Sequence, residues 1–361
     1  MRLQAWLTLG ALLAVGGCST QPGPLAACKA PADDNGKLQA KLAACTTAIR
    51  QGLKGDDLEA ALAQSGDAQR QLSKPDLAIQ AFSQALRLKP DDAIALDGRG
   101  VAYLDAGKSQ QLAKADFDAA IRANPSDGDA FDHRGYLERY NGDFDAAIAD
   151  ESHAIELEPG AALPWANRGY AYAGKRWWDF AIADFTDALR IANAYVFALQ
   201  GRAEAERGKG DARAAVKDFG DVIASDPHGD DALADANAMV ELSPPGDPEA
   251  LNSRCWARGV RNTELPAALV DCQQSLAARP NSAETLDSLA MIYFRQGRFR
   301  DAIGQYSAAL TADSSQTASR FMRGVAELRD GDDAAGQADI AAAEASDKTV
   351  ADRFAGFGIK P

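Results

Sequence analysis

Histidine and cysteine are scarce here, and long apolar runs are scarcer. The 361 residues include 3 His and 5 Cys. None of His133, His153 and His228 has a second His or a Cys at ligand spacing, so no metal centre is expected. Beyond Val15 no stretch is long and apolar enough to span a bilayer. Positive charge is also in deficit, with 38 Lys and Arg against 52 Asp and Glu, a net charge of −14. Nucleic-acid binding needs cations to neutralise phosphates, and this balance argues against it; a protein partner with a basic patch is electrostatically easier. Catalytic signatures are missing as well. Ala106-Gly107-Lys108-Ser109 ends like a phosphate-binding loop, but Ala102 stands where that motif needs its first glycine. There is no G-x-S-x-G, and Asp143, Asp145 and Asp150 fall on turns and outer helix faces rather than in a pocket. The expectation is a non-enzyme with no cofactor.

What is present begins at the N-terminus. Arg2 precedes the apolar run Leu3–Val15, and Gly16, Gly17 and Cys18 follow. A short positive end, an apolar segment of this length and a small-residue site read as a signal peptide over residues 1–17. Val15-Gly16-Gly17-Cys18 resembles the bacterial lipobox, in which the Cys receives lipid and becomes the mature N-terminus. Leu25-Ala26-Ala27-Cys28 and Leu42-Ala43-Ala44-Cys45 fit its letters better, yet only Cys18 directly follows the hydrophobic segment. The resemblance implies lipidation at Cys18. In lipoproteins of Gram-negative bacteria an Asp after that Cys tends to retain the protein at the inner membrane; Ser19 stands here, which implies the periplasmic side of the outer membrane. The alternative is secretion to the periplasm after cleavage nearby. Residues 18–24, polar and bearing Pro and Gly, read as a tether.

The rest of the chain repeats one plan, clearest in Ala283–Ser314. Leu286, Leu289, Ala290 and Tyr293 share one helical face, Gly297 interrupts, and Ala302, Ile303, Tyr306, Ala309 and Leu310 form a second face. Two such helices make an antiparallel hairpin that cannot bury both its sides and so needs neighbours. Upstream, unit ends at Pro90, Pro125, Pro159, Asn193 and Pro227 are spaced by 35, 34, 34 and 34 residues. Within units, small residues such as Gly100, Gly135 and Gly169 recur at one position, and Phe82, Phe117, Phe185 and Phe219 at another.

Period and positions together resemble the tetratricopeptide repeat, whose pattern places Trp or Leu at 4, Gly or Ala at 8, Tyr at 11, Ala at 20, an aromatic at 24, Ala at 27 and Pro at 32. The resemblance implies an all-α fold, a right-handed superhelical solenoid of antiparallel helix pairs. Residues 25–57 form a degenerate repeat, 58–227 five repeats, and 247–348 three more. Residues 228–246 exceed the period; the run Ala232–Leu242 reads as one extra helix followed by a turn. Residues 349–361 read as a terminal cap, with Phe357 and Ile359 folding back. In the 247–280 unit Trp256 falls near position 8, where a small residue is normal.

On the same alignment Cys28 and Cys45, and likewise Cys255 and Cys272, fall at positions 7 and 24. Facing positions across the hairpin sum to about 31 when its turn lies near 15, so each pair should meet across its own seam. An oxidising periplasm would permit both disulfides; the alternative is that Cys only fills an apolar slot. Trp177 and Trp178 fall at the hairpin turn, with Trp178 expected inward and Trp177 at the edge. The resemblance also implies that positions 2, 5, 9, 12 and 13 of each first helix point into a concave groove. They nominate Tyr136, Arg139, Tyr140, Tyr170, Phe197 and Arg207 for partner binding, beside Leu163, Ala166, Gln200 and Glu204. The Lys and Asn residues with which family members clamp a C-terminal carboxylate are not matched. An extended or helical peptide segment is therefore the expected occupant. The implied function is a periplasm-facing scaffold for envelope assembly or maintenance. The alternatives are an accessory subunit of an envelope enzyme and a pilot lipoprotein for a secretin.

Overall fold

The computed structural model describes residues 23–227 and 229–361. Cys18, the leader and His228 lie outside them. Every regular element among the described residues is a helix, and the chain forms two compact units, the first ending at His133 and the second running from Arg134 to Pro361. The division falls within the stretch of residues 58–227 that reads as one array in the sequence.

The first unit holds α1 (Pro24–Cys28), α2 (Asn35–Arg50), α3 (Gly55–Gln71), α4 (Pro75–Leu88), α5 (Ala93–Asp105), α6 (Gln110–Ala123) and the start of α7 (Gly128–Tyr140). The second continues through α8 (Phe144–Leu157), α9 (Ala162–Gly174), α10 (Trp178–Ile191), α11 (Val196–Lys209) and α12 (Ala212–Ser225). A single helix, α13 (Ala232–Leu242), follows. Pairing then resumes with α14 (Pro248–Val260), α15 (Leu265–Ala278), α16 (Ala283–Arg295), α17 (Phe299–Ala312), α18 (Thr317–Asp330) and α19 (Asp333–Ser346), ending in the short α20 (Val350–Gly356). The helices are all-α hairpins in sequence order, each pair packed on the next within its unit.

Local chemistry sets the helix ends. Side chains of Asp92, Asp143, Asp211 and Asp332 each accept from the backbone N–H three residues on, satisfying one of the orphan donors of a first turn. Several hairpin turns need a left-handed residue, supplied by Gly142, Gly210 and Gly331.

Close approach explains the small–large alternation. Phe82 lies between Gly66 and Gly98: a methyl at Gly98 would sit 2.5 Å from its ring. Phe185 lies in the same way between Gly169 and Gly201. Phe82, Phe117, Phe185 and Phe219 are all buried, each contributing on the order of 2–3 kcal/mol of hydrophobic transfer.

A second periodic device runs beside this one. Arg99, Arg168, Arg202, Arg254 and Arg323, each just before the small position, form two-pronged ion pairs with Asp116, Asp184, Asp218, Asp271 and Asp339 on the second helix of the pair. Arg168 also donates to Ser152 Oγ of the preceding helix at 3.0 Å, and Arg202 to Thr186 Oγ1 at 3.2 Å, so one guanidinium ties successive pairs together. Burial raises the pKa of Asp184 even though Arg168 opposes it, as expected where desolvation rivals the Coulomb gain.

These ion pairs correct the register of the cysteine unit. Arg254 meets Asp271 at a separation of 17 residues, as Arg99 meets Asp116, because both hairpin turns are one residue longer than the others. Cys255, not Trp256, therefore occupies the small slot, and Cys272 occupies the slot of the phenylalanine. Cys255 is joined to Cys272, and Cys28 to Cys45, with Cα–Cα distances of 5.6 and 4.6 Å. Trp256 moves one position on, where its ring meets the edge of Phe357 at 6.2 Å. The C-terminal segment is folded back there. Phe354 stacks on Phe321 at 5.4 Å, and Arg295 donates to the carbonyl of Phe357 at 2.7 Å and to those of Gly259 and Val260 at 3.1 Å.

Candidate functional site

On the second unit, the first helices of successive pairs present one face. Tyr136, Arg139 and Tyr140 are three and four residues apart on α7, so they share a side of that helix. Arg139 lies between two rings, its Cζ 5.2 Å from the centroid of Tyr136 and 5.3 Å from that of Tyr170 on α9. Tyr170 is held from several directions. Its ring centroid lies 4.5 Å from Phe197 and, edge-on, 4.9 Å from Phe185, and its hydroxyl donates to the carbonyl of Phe197 at 2.7 Å. Burial pushes its pKa far above the usual tyrosine range, so it stays a neutral donor. Tyr136, Arg139, Tyr170 and Phe197 thus form a connected row in which a guanidinium is already stacked on aromatic faces.

Two of the six nominated side chains do not join that row. Tyr140 is 69 % exposed, and Arg207 is exposed and paired with Glu204 at 3.0 Å. Ala166 is wholly buried and offers no surface, whereas Leu163 is exposed. Trp178 is half-buried beneath the chain at Gly208, while Trp177 is exposed and clustered with Tyr172 and Phe180, its ring 4.0 Å from Lys175 Nζ.

Sequence reasoning missed what adjoins the row. A cleft of about 520 Å³ opens beside Tyr170 and Phe197, lined also by Val196, Gln200, Val222, Asp226, Asp230, Asp231 and Asp235. Asp235, on the unpaired α13, is only 2 % exposed. Gln200 Nε2 donates to its Oδ1 at 2.9 Å, and its Oδ2 accepts no hydrogen bond. Burial pushes its pKa up to about 6, against the opposing Gln200 bond and with the aid of the Asp231 and Glu204 charges. The available signal was the spacing Asp226, Asp230, Asp231, Asp235 at the end of the fifth repeat and in the surplus stretch that follows it.

Elsewhere, His133 in the first unit is half-buried. Its Nδ1 lies 2.9 Å from Asp97 Oδ1 and its ring stacks on Phe117 at 5.9 Å. Among the described residues no group of three or more His, Cys, Asp or Glu is placed to hold a metal ion, and no helix is long and apolar enough to cross a membrane.

Comparison with known proteins gives the following. The tetratricopeptide-repeat family model matches residues 63–128 and 288–349. No curated protein matches the chain. Among solved structures, MamA is 25% identical, with 45% of this chain and 94% of that one covered and a TM-score of 0.40. A tetratricopeptide repeat protein from Parabacteroides merdae is 16% identical over 73% and 97% of the two chains, with a TM-score of 0.44. PilF of Pseudomonas aeruginosa is 15% identical over 64% and 96%, also at 0.44. With helix pairs of this period and glycines facing phenylalanines across the seams, the chain has the fold of tetratricopeptide-repeat proteins, and residues 63–128 and 288–349 match the model of that family.

Proposed function

We propose that the protein is a non-enzymatic scaffold lipoprotein of the cell envelope, anchored through a lipidated Cys18 at the periplasmic side of the outer membrane. It captures an extended or helical segment of a protein partner on the first-helix face of its second unit. Repeats of this family are in general non-catalytic binding modules, which supports the coarser part of this reading. The observation that carries it is the row Tyr136–Arg139–Tyr170–Phe197, an aromatic and guanidinium surface on a chain of net charge −14. Tyr and Arg give large contact area with forked donors and few rotamers to freeze, which suits them to anchor a peptide.

The test uses the mature lipidated protein as bait on detergent-solubilised envelopes, followed by affinity measurement with the partner recovered. Replacing Tyr136, Arg139 and Tyr140 together with Ala, with helicity checked by circular dichroism, is expected to weaken binding at least tenfold, about 1.4 kcal/mol. Unchanged affinity in the folded triple variant overturns the assignment of the face. Metabolic lipid labelling that survives Cys18→Ala overturns the anchor.

A further inference from the structure

The cleft beside the aromatic row has a chemistry of its own. Its carboxylates are arranged in depth: Asp226, Asp230 and Asp231 are exposed, and Asp235 is buried. Asp235 is only half satisfied. Gln200 engages one oxygen and the other has no donor, although it is removed from solvent. For the contact with Gln200 alone an asparagine would serve as well, because its side-chain oxygen accepts the same hydrogen bond at no cost in buried charge. The carboxylate is thus an acceptor without its donor.

Arg261 reaches the edge of the cleft, where it donates to the carbonyl of Gly229 at 2.9 Å, while Arg207 is paired with Glu204 and Arg139 is stacked between Tyr136 and Tyr170. The remaining wall is aromatic and aliphatic, from Tyr170, Phe197, Val196 and Val222. A ligand that suits both parts carries a positive charge on an apolar stem: the stem lies along the rings while the head supplies N–H donors to the carboxylate. Tyr170 already takes one guanidinium on its ring, so the surface is of a kind that tolerates such a group.

We propose that this cleft is a recognition pocket for one basic side chain, arginine or lysine, carried by the bound partner segment. The proposal rests on the reading of the first-helix face as the partner groove and adds the residue that the partner brings. Continuity supports a side chain over a free cation, because Tyr170 and Phe197 belong both to the row and to the cleft wall. Charge complementarity with an acidic chain points the same way.

The experiment titrates the full mature protein with three blocked tripeptides, Gly-Arg-Gly, Gly-Lys-Gly and Gly-citrulline-Gly, and follows backbone and Gln200 side-chain amide resonances. Citrulline keeps the shape of arginine without its charge. The Arg peptide is expected to bind about tenfold or more tighter than the citrulline peptide, with the preference shrinking as salt is raised. Asp235→Asn retains the oxygen that accepts from Gln200, so the fold persists; the preference for Arg is expected to fall below about twofold. Equal binding of the Arg and citrulline peptides, or a preference that survives Asp235→Asn, overturns the proposal. Spermidine binding more tightly than either basic peptide assigns the cleft to a free polyamine and also overturns it. Failure here is separable from failure of the groove. The triple replacement at Tyr136, Arg139 and Tyr140 leaves every cleft residue in place, so loss of partner affinity there with no Arg preference in the cleft keeps the groove and removes the pocket. The reverse result keeps the pocket and removes the row.

Discussion

Gly201→Ala tests the packing logic of the fold at the point where it meets the candidate site. In an open helix this change stabilises, because Ala exceeds Gly in helix propensity by about 1 kcal/mol. Here the new methyl would lie 2.3 Å from Phe185 Cζ, 2.4 Å from its Cε1 and 2.9 Å from Tyr170 Cζ. Ordinary contact begins near 3.4 Å, so a ring must retreat by roughly 1 Å. Phe185 has nowhere to go. It is fully buried, and the opposite side of its ring already lies 2.9 Å from where a side chain on Gly169 would begin. Overpacking of this kind costs about 1–3 kcal/mol, so after the propensity gain the variant is expected to lose on the order of 1–2 kcal/mol. Gly304→Ala supplies the control, since a methyl there meets nothing within 4 Å and should stabilise by up to about 1 kcal/mol. Urea titration followed by circular dichroism reads both, compared as midpoints because repeat arrays need not unfold in one step. Adding Phe185→Leu should recover part of the loss, which a double-mutant cycle reports as a coupling of opposite sign to the single effects. A Gly201→Ala midpoint at or above that of the wild type, beside a raised Gly304→Ala midpoint, refutes the reasoning.

Two further outcomes follow from the same geometry. Because Cys255 and Cys272 occupy the slots held elsewhere by glycine and phenylalanine, the pair Cys255→Gly and Cys272→Phe should yield a folded protein whose melting temperature responds to reductant only through the remaining bridge, Cys28–Cys45. Cys255→Ala with Cys272→Ala should lose the crosslink, worth about 3 kcal/mol for a loop of this length, and leave the slot underfilled; a melt of the Gly/Phe variant as low as that of the Ala/Ala variant counts against the slot assignment. His133 should give a pH-dependent contribution: burial lowers its pKa, but the hydrogen bond and charge of Asp97, with Asp132 and Asp129, outweigh it and raise the folded value above 6.5. Its stabilisation is therefore full below the unfolded pKa and is lost as pH rises through the folded one, so the melting-temperature gap between wild type and His133→Gln should narrow from pH 5.5 to pH 8.5; a gap that widens refutes the pairing.

How far the sequence could be read depended on whether a feature repeated. Glycine facing phenylalanine recurs often enough that period, hairpins and the surplus helix at Ala232–Leu242 are all legible in the sequence. Register failed where one hairpin turn gained a residue. Counting back from Pro280 placed Trp256 in the small slot, whereas the helices are held by Arg254 and Asp271, and those two count from the other side of the turn. The 17-residue spacing shared with Arg99 and Asp116 was in the sequence, but its meaning depends on knowing that an arginine before the small position reaches across the seam. The nominated row was legible in the same partial way. Tyr136, Arg139, Tyr170 and Phe197 meet because family positions carry over where the register holds; Ala166, nominated by the same rule, is consumed by packing.

Asp235 illustrates the remaining limit. It lies in the stretch between repeats that departs from the period, so no repeat position speaks for it, and a single sequence presents it as one more acid on a chain with 52 Asp and Glu. What distinguishes it is relational: its burial, the donor on Gln200 and the missing donor on its second oxygen. A regular repeat is constrained to return the same small and large residues every turn, because each helix pair must seat on the next. The extra helix also packs on its neighbours, Ala236 and Met239 joining Phe219 and Ala250 in one core, but no repeat position fixes its remaining residues, and it can present a carboxylate beside that packing. The break in the period is therefore the place where this fold can acquire a binding chemistry that its repeats do not supply, and it adjoins the part of the repeat surface whose aromatic side chains are already aligned.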